Sequence, residues 1–90
     1  VQLIWTAEAS ADHDDIIGYI ADRNPDAAER LKGLFARYAE QLLDFPMMHR
    51  SGRVPGTREA VVHPNYLLVY KIELDAIVIT AVLHARQQYP

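Results

Sequence analysis

The sequence predicts an α+β domain of order β-α-α-β-β-β, an antiparallel helix hairpin packed on a twisted antiparallel sheet. Three observations predict it. Two amphipathic stretches meet at Asp22-Arg23-Asn24-Pro25. A loop rich in Pro and Gly, residues 46–56, ends the second stretch. Three apolar runs then follow, separated by breaks short enough for hairpins. Helices gathered on one face of such a sheet bury both apolar surfaces at once. A chain of 90 residues holds a single domain, spanning 1–90, with a thin core.

Residues 2–6 carry Leu3, Ile4 and Trp5 and read as a short first strand. No basic region precedes an apolar run there, so the segment does not read as a signal peptide. Thr6 can cap a helix running to about Ala21, with Glu8 at the positive end of its dipole. Ile16, Ile17 and Ile20 form one stripe with Ala9, and Asp12, Asp14, Asp15 and Asp22 fall off it as solvated residues. Asn24 caps the second helix, and Pro25 at its first position forfeits no hydrogen bond. Ala28, Leu31, Phe35, Tyr38 and Leu42 recur at steps of three and four, and the helix must stop before Pro46.

Residues 46–56 are expected to hold no regular element. Strands are expected at 57–63, 66–73 and 76–84. The run 66–72 is apolar on both faces and so reads as a central strand, with Tyr66 and Tyr70 on one face as packing residues. The first strand is expected beside a later one.

Several function classes are excluded. There is no cysteine, hence no disulfide, no thiolate nucleophile and no Cys-ligated metal. No run approaches the roughly 20 apolar residues of a membrane-spanning helix. Ser10 and Ser51 lie in no nucleophile turn, and Gly52 and Gly56 match no nucleotide loop. His13, His49, His63 and His84 share no ligand spacing, so neither a metal nor another cofactor is expected. His13, among carboxylates, reads as a surface residue.

The net charge is −3, unevenly spread: −5 over residues 1–45 and +2 over 46–90. A net acidic chain is a poor general nucleic-acid binder, so any such contact must be local. His49, Arg50, Arg53 and Arg58 lie in or just after one loop; His63 ends the next strand; His84 and Arg86 end the last, with Tyr89 beyond. If the end of the last strand lay near the start of the first strand after the loop, these groups would converge. Arginines beside an imidazole suit a metal-free ribonuclease, which needs a base, an acid and cations on the phosphoryl group. Taken singly, each arginine reads more readily as a solvated surface residue. His84, sharing a face with Val78, Thr80 and Val82, reads equally as a hydrogen-bonded histidine at the core margin.

The chain resembles the RelE/ParE superfamily of toxins from type II toxin–antitoxin pairs, also called plasmid-stabilisation proteins. The resemblance spans nearly the whole chain. It rests on Trp5-Thr6-x-Glu8-Ala9, Asn24-Pro25-x-Ala27-Ala28 and Gly52-Arg53-x-Pro55-Gly56-Thr57-Arg58-Glu59. Val62-x-Pro64-x-Tyr66-x-x-x-Tyr70 and Val82-Leu83-His84-Ala85-Arg86-Gln87 complete it. It implies a cytoplasmic toxin neutralised by a cognate antitoxin, touching operator DNA only through the antitoxin complex. It implies one of two activities: ribosome-dependent mRNA cleavage by a metal-independent endoribonuclease (mRNA interferase), the first expectation, or inhibition of DNA gyrase by binding alone. The site residues expected on the first reading are Arg53, Arg58, His63, His84, Arg86 and Tyr89. His84 matches the late-strand histidine of YafQ-like nucleases, whereas Val61 and Asn65 stand where those carry a histidine and an aspartate.

Overall fold

The computed structural model describes all residues 1–90. The order is β1 (Gln2–Trp5), α1 (Ala7–Ala21), α2 (Pro25–Asp44), β2 (Arg50–Ser51), β3 (Arg58–His63), β4 (Tyr66–Ile72) and β5 (Ala76–His84). The expected caps are in place. Thr6 Oγ1 accepts from Ala9 N at 3.1 Å, and Asn24 Oδ1 accepts from Ala27 N at 3.1 Å. Each satisfies one orphan donor of a helix start.

The five strands form one sheet in the order β1-β5-β4-β3-β2. β3, β4 and β5 are an antiparallel meander with β4 at the centre, as its two apolar faces require. β1 lies beside β5 but runs parallel to it, which makes the sheet mixed. The α1–α2 hairpin carries the chain across the sheet, and an even number of antiparallel helices returns it so that β1 and β5 point the same way. β2 is an element that the Pro/Gly loop was not expected to hold. It pairs Arg50 with Glu59 and Ser51 with Arg58, and two residues of pairing suffice because Glu59 ties Arg50 down.

The helices cover one face. Leu31, Phe35, Ala39 and Leu42 of α2 and Ala9 of α1 pack on Ala60, Val62, Leu68, Tyr70, Ile77, Ile79 and Val82. On the opposite face Leu67, Val69, Ala81 and Leu83 form a smaller cluster beneath Tyr89 of the C-terminal tail. Burying such side chains contributes about 1.5–3 kcal/mol each, so two covered faces make a 90-residue core workable.

Two bulges set the register. Val69 pairs with Ala81 and Tyr70 with Ile79, leaving Thr80 unopposed in β5. Val61 pairs with Leu67 and His63 with Tyr66, leaving Val62 unopposed in β3. An extra residue shifts side-chain alternation by one. Ile77 and Ile79 therefore face the helices before the β5 bulge, and Val82 and His84 face them after it. The expected grouping of His84 with Val78 and Thr80 is corrected on this ground; only Val82 shares its face.

Two residues read as solvated are not. His13 sits edge-on to Trp5 and Phe35, with centroids 5.5 and 5.3 Å away and a side chain only 17% exposed. Asp12 turns its carboxylate to β5, where Oδ2 accepts from Val82 N. The α1 face that meets the sheet is wider than its isoleucine stripe.

Candidate functional site

The expected site residues fall into two groups, one around Tyr66 and one around Glu59, linked through Arg53 and the C-terminal tail. β3 and β5 flank β4 and are both antiparallel to it, so they run parallel to one another. The end of β5 thus lies level with the end of β3, not with its start. Tyr66 opens β4, and Tyr70, the register partner of Arg58 at the start of β3, lies roughly 13 Å further along at strand rise. The expected convergence of His84 with Arg58 is corrected by this topology, whereas Arg53 reaches the tail beyond β5, where its Nη1 donates to Gln87 O at 3.1 Å.

The first group is a cross-strand triplet. His63 and His84 are both register partners of Tyr66, one on each side. Their ring centroids lie 5.9 and 5.4 Å from that of Tyr66. The bulges at Val62 and Thr80 turn both imidazoles to the helix side, where Tyr66 continues edge-on to Phe35 at 6.3 Å. A cleft opens on each side of Tyr66. One of about 340 Å³ is lined by Ile20, Arg30, Leu31, Leu34, His63 and Asn65. The other, of about 420 Å³, is lined by Asp15, Ile16, Tyr19, His84 and Gln87.

The hydrogen bonds of the two imidazoles limit their chemistry. His63 Nδ1 accepts from Asn65 N, and His84 Nδ1 accepts from Arg86 N, each at 3.1 Å. A neutral imidazole whose Nδ1 accepts must carry its proton on Nε2. Both rings are therefore fixed as Nε2–H donors. The lone pair that a general base would use is engaged by a backbone amide in each.

The second group is built on Glu59, which sequence reasoning did not select. Glu59 is 2% exposed on the face away from the helices. Its carboxylate accepts from Arg50 Nη2 at 3.2 Å and from Arg53 N at 3.0 Å, with Arg53 Nε at 3.3 Å. Arg53 Nη1 donates to Gln87 O at 3.1 Å and so fastens the tail that carries Tyr89. Arg58 Nη1 donates to His49 O at 2.6 Å and reaches Met47 O at 3.5 Å. The signal in the sequence was a lone acid, Glu59, inside an apolar run flanked by arginines.

Arg86 is exposed and takes part through its backbone amide. Tyr89 packs on the second apolar cluster. His49 lies between Tyr38 and Tyr70, with centroids 6.5 and 6.1 Å away. Burial pushes its pKa below the ordinary value, and its Nε2 is buried without a partner. Tyr70 donates to Pro46 O at 2.6 Å; burial raises its pKa, while the nearby Arg58 charge acts to lower it. No three His, Asp or Glu side chains converge as metal ligands would. No helix is long and apolar enough to cross a membrane.

Comparison with known proteins sets this arrangement in a family. Residues 3–89 match the family described as ParE toxin of type II toxin–antitoxin system, parDE. The chain is 37% identical over 87 residues to putative toxin Y4kP of Sinorhizobium fredii (strain NBRC 101917 / NGR234), covering 96% of this chain and 90% of that protein. It is 32% identical over 84 residues to toxin RelE2 of Caulobacter vibrioides (strain ATCC 19089 / CIP 103742 / CB 15), covering 93% and 94%. Among solved structures, a chain of the chromosomal ParDE TA system from P. aeruginosa superposes with TM-score 0.82 at 20% identity, covering 93% of this chain and 95% of that one. YafQ from E. coli strain BL21(DE3) superposes with TM-score 0.57 at 17% identity, covering 93% and 92%.

Proposed function

The chain belongs to the ParE toxin family of type II toxin–antitoxin systems, and from that premise we propose that it arrests growth by binding a protein target, DNA gyrase, rather than by cutting RNA. The observation that carries this reading is the state of its would-be catalytic groups. Both histidines beside Tyr66 have Nδ1 occupied by a backbone amide. Arg50 and Arg53 are held by Glu59, and Arg58 is turned onto backbone carbonyls. A ribonuclease needs a free base and cations aimed at one phosphoryl group. Here the Nδ1 positions are capped, Arg58 stands at the far end of the sheet, and Arg53 is engaged by Glu59 and by the carbonyl of Gln87. Binding needs no such assembly: it needs a rigid surface, which the same hydrogen bonds supply. A cytoplasmic site of action follows from such a target.

Purified gyrase with relaxed plasmid provides the test. Loss of supercoiling at micromolar protein, with mRNA intact in a translation reaction, is the expected result. Uninhibited gyrase together with new mRNA 5′ ends inside codons, seen only when ribosomes are present, would overturn it.

That second outcome has its own support in the His63–Tyr66–His84 triplet. Two Nε2–H donors beside a phenol and two open clefts could hold a phosphodiester, with cleavage at the ribosome supplied by groups beyond this chain.

A further inference from the structure

We infer that the chain pairs with a second copy of itself through the outer edge of β1, joining two five-stranded sheets into one across a twofold axis at Ile4. Such pairing is independent of which target the toxin meets.

β1 ends the sheet, with β5 on its inner side alone. Gln2 N donates to Asp75 O at 2.9 Å and Thr6 N to Ile79 O at 3.0 Å. Alternate residues of a strand turn their backbone groups to the same side, so Leu3 and Trp5 present theirs to the open edge. Antiparallel pairing with a twofold at Ile4 sets Leu3 opposite Trp5 of the second copy, and Trp5 opposite its Leu3. Residues opposed in this way exchange both N–H···O bonds. Ile4 then meets Ile4 of the second copy in the intervening pair, where side chains come closest. Leu3 and Trp5 pack toward the helices, so Ile4 points to the other face, where it is 40% exposed. β1 reads Gln-Leu-Ile-Trp and carries neither charge nor proline, the devices that keep an edge strand single.

The helix side of this edge says why the occupant is a second copy. A cleft of about 300 Å³ beside β1 is lined by Leu3, Trp5, Ala36 and Ala39, with Lys32 and Glu40 on either side of Ala36 along α2. Both charged residues are exposed, and neither belongs to an ion pair of the chain. Eight residues of helix hold them about 12 Å apart in rise, too far to pair with each other. A twofold normal to the sheet reverses the second α2, so Lys32 of each copy turns toward Glu40 of the other. The surface is thus its own complement, as a contact between identical patches requires. A partner of one charge sign would gain from one of the two residues and lose to the other. At the opposite edge β2 exposes Arg50, and a twofold there would set two guanidinium groups together. Charge therefore selects β1 for self-pairing.

Sedimentation equilibrium of the full chain, from low to high micromolar, tests the pairing. A dimer is expected. Ile4→Lys sets two ammonium groups at the axis and should weaken it by about tenfold or more. Lys32→Glu and Glu40→Lys should each do the same, because each sets like charges together. Mixed in equal amounts, those two single variants should pair with one another, since each supplies the sign the other lacks. The double variant Lys32→Glu/Glu40→Lys should pair with itself as the wild type does. Both charges lie on the exposed side of α2, so these variants decide the matter even where Ile4→Lys fails to fold. A wild-type chain that stays monomeric throughout overturns the proposal. So does a dimer that tolerates a folded Ile4→Lys, or single charge variants that stay apart when mixed.

Discussion

Asp12 on α1 accepts a hydrogen bond from the backbone N–H of Val82 on β5, at 3.1 Å and across 70 residues of sequence. Val82 follows the Thr80 bulge and lies beyond the last β1 pairing, Trp5 with Ile79. Its amide would otherwise face the helix layer without a partner. The carboxylate thus stands in for a missing strand and holds α1 against the sheet at the level of the two histidines.

Asp12→Ala should destabilise the chain by about 1–3 kcal/mol, since it leaves a backbone donor unsatisfied. Asp12→Asn keeps an acceptor of the same shape and should recover part of the loss. Thermal unfolding of the three chains checks this. Equal midpoints for wild type and Asp12→Ala would show that the bond contributes nothing.

Glu59 is buried and accepts from two arginines, both of which keep contact with water. Glu59→Ala should cost about 2–4 kcal/mol in urea unfolding, less than for a fully buried pair because the freed guanidinium groups can hydrate. The same variant should loosen the tail, since Arg53 no longer aligns on Gln87 O. Faster proteolysis after Arg86 is the readout for that second effect. Arg53→Lys should loosen the tail as well, with a smaller loss of stability.

His49 makes stability depend on pH. Burial holds its folded-state pKa below the ordinary 6.5, so the unfolded chain takes up the proton first as pH falls. Its contribution is intact above about pH 6.5 and is lost progressively below that, levelling off once the folded state protonates too. The groups around it are Tyr38, Tyr70 and the Arg58 cation, with no carboxylate among them to favour an imidazolium. Urea midpoints at pH 7.5 and pH 5.5 should differ more for wild type than for His49→Phe. An identical pH slope in the two chains would refute the assignment.

His84→Ala separates the two activities. Gyrase inhibition should survive it, because the ring serves as an Nε2–H donor at the margin of Tyr66 and its loss leaves the backbone in register. A variant that stays folded, still inhibits gyrase and still arrests growth fits binding. One that stays folded yet no longer arrests growth would point to the RNA-cleaving alternative.

The elements themselves were legible in the sequence because their causes are local. Thr6 and Asn24 cap helices by contacts three residues long, and both helices start where those residues stand. The stripe Ala28–Leu31–Phe35–Leu42 predicts its own burial, and the two-sided apolar run 66–72 predicts a central strand. Pairing of β1 beside a later strand followed from chain economy, while its parallel sense required the sheet to be seen.

The candidate site was legible only in its parts. His63 and His84 could be named from sequence, but not their shared partner, because each reaches Tyr66 through a bulge. Glu59 gathers Arg50 and Arg53 across a two-residue strand hidden in a Pro/Gly loop. His13 and Asp12 looked solvated because their partners, Phe35 and Val82, lie on other elements.

By itself, then, the sequence determined the two capped helices, the meander and the family to which the chain belongs, since periodicity, capping and motif spacing act within a few residues. Only the tertiary structure decided which charges are free. Alternation has a period of two, so one unopposed residue at Val62 or Thr80 reverses every side chain beyond it, and such a residue is visible only once two strands are laid side by side.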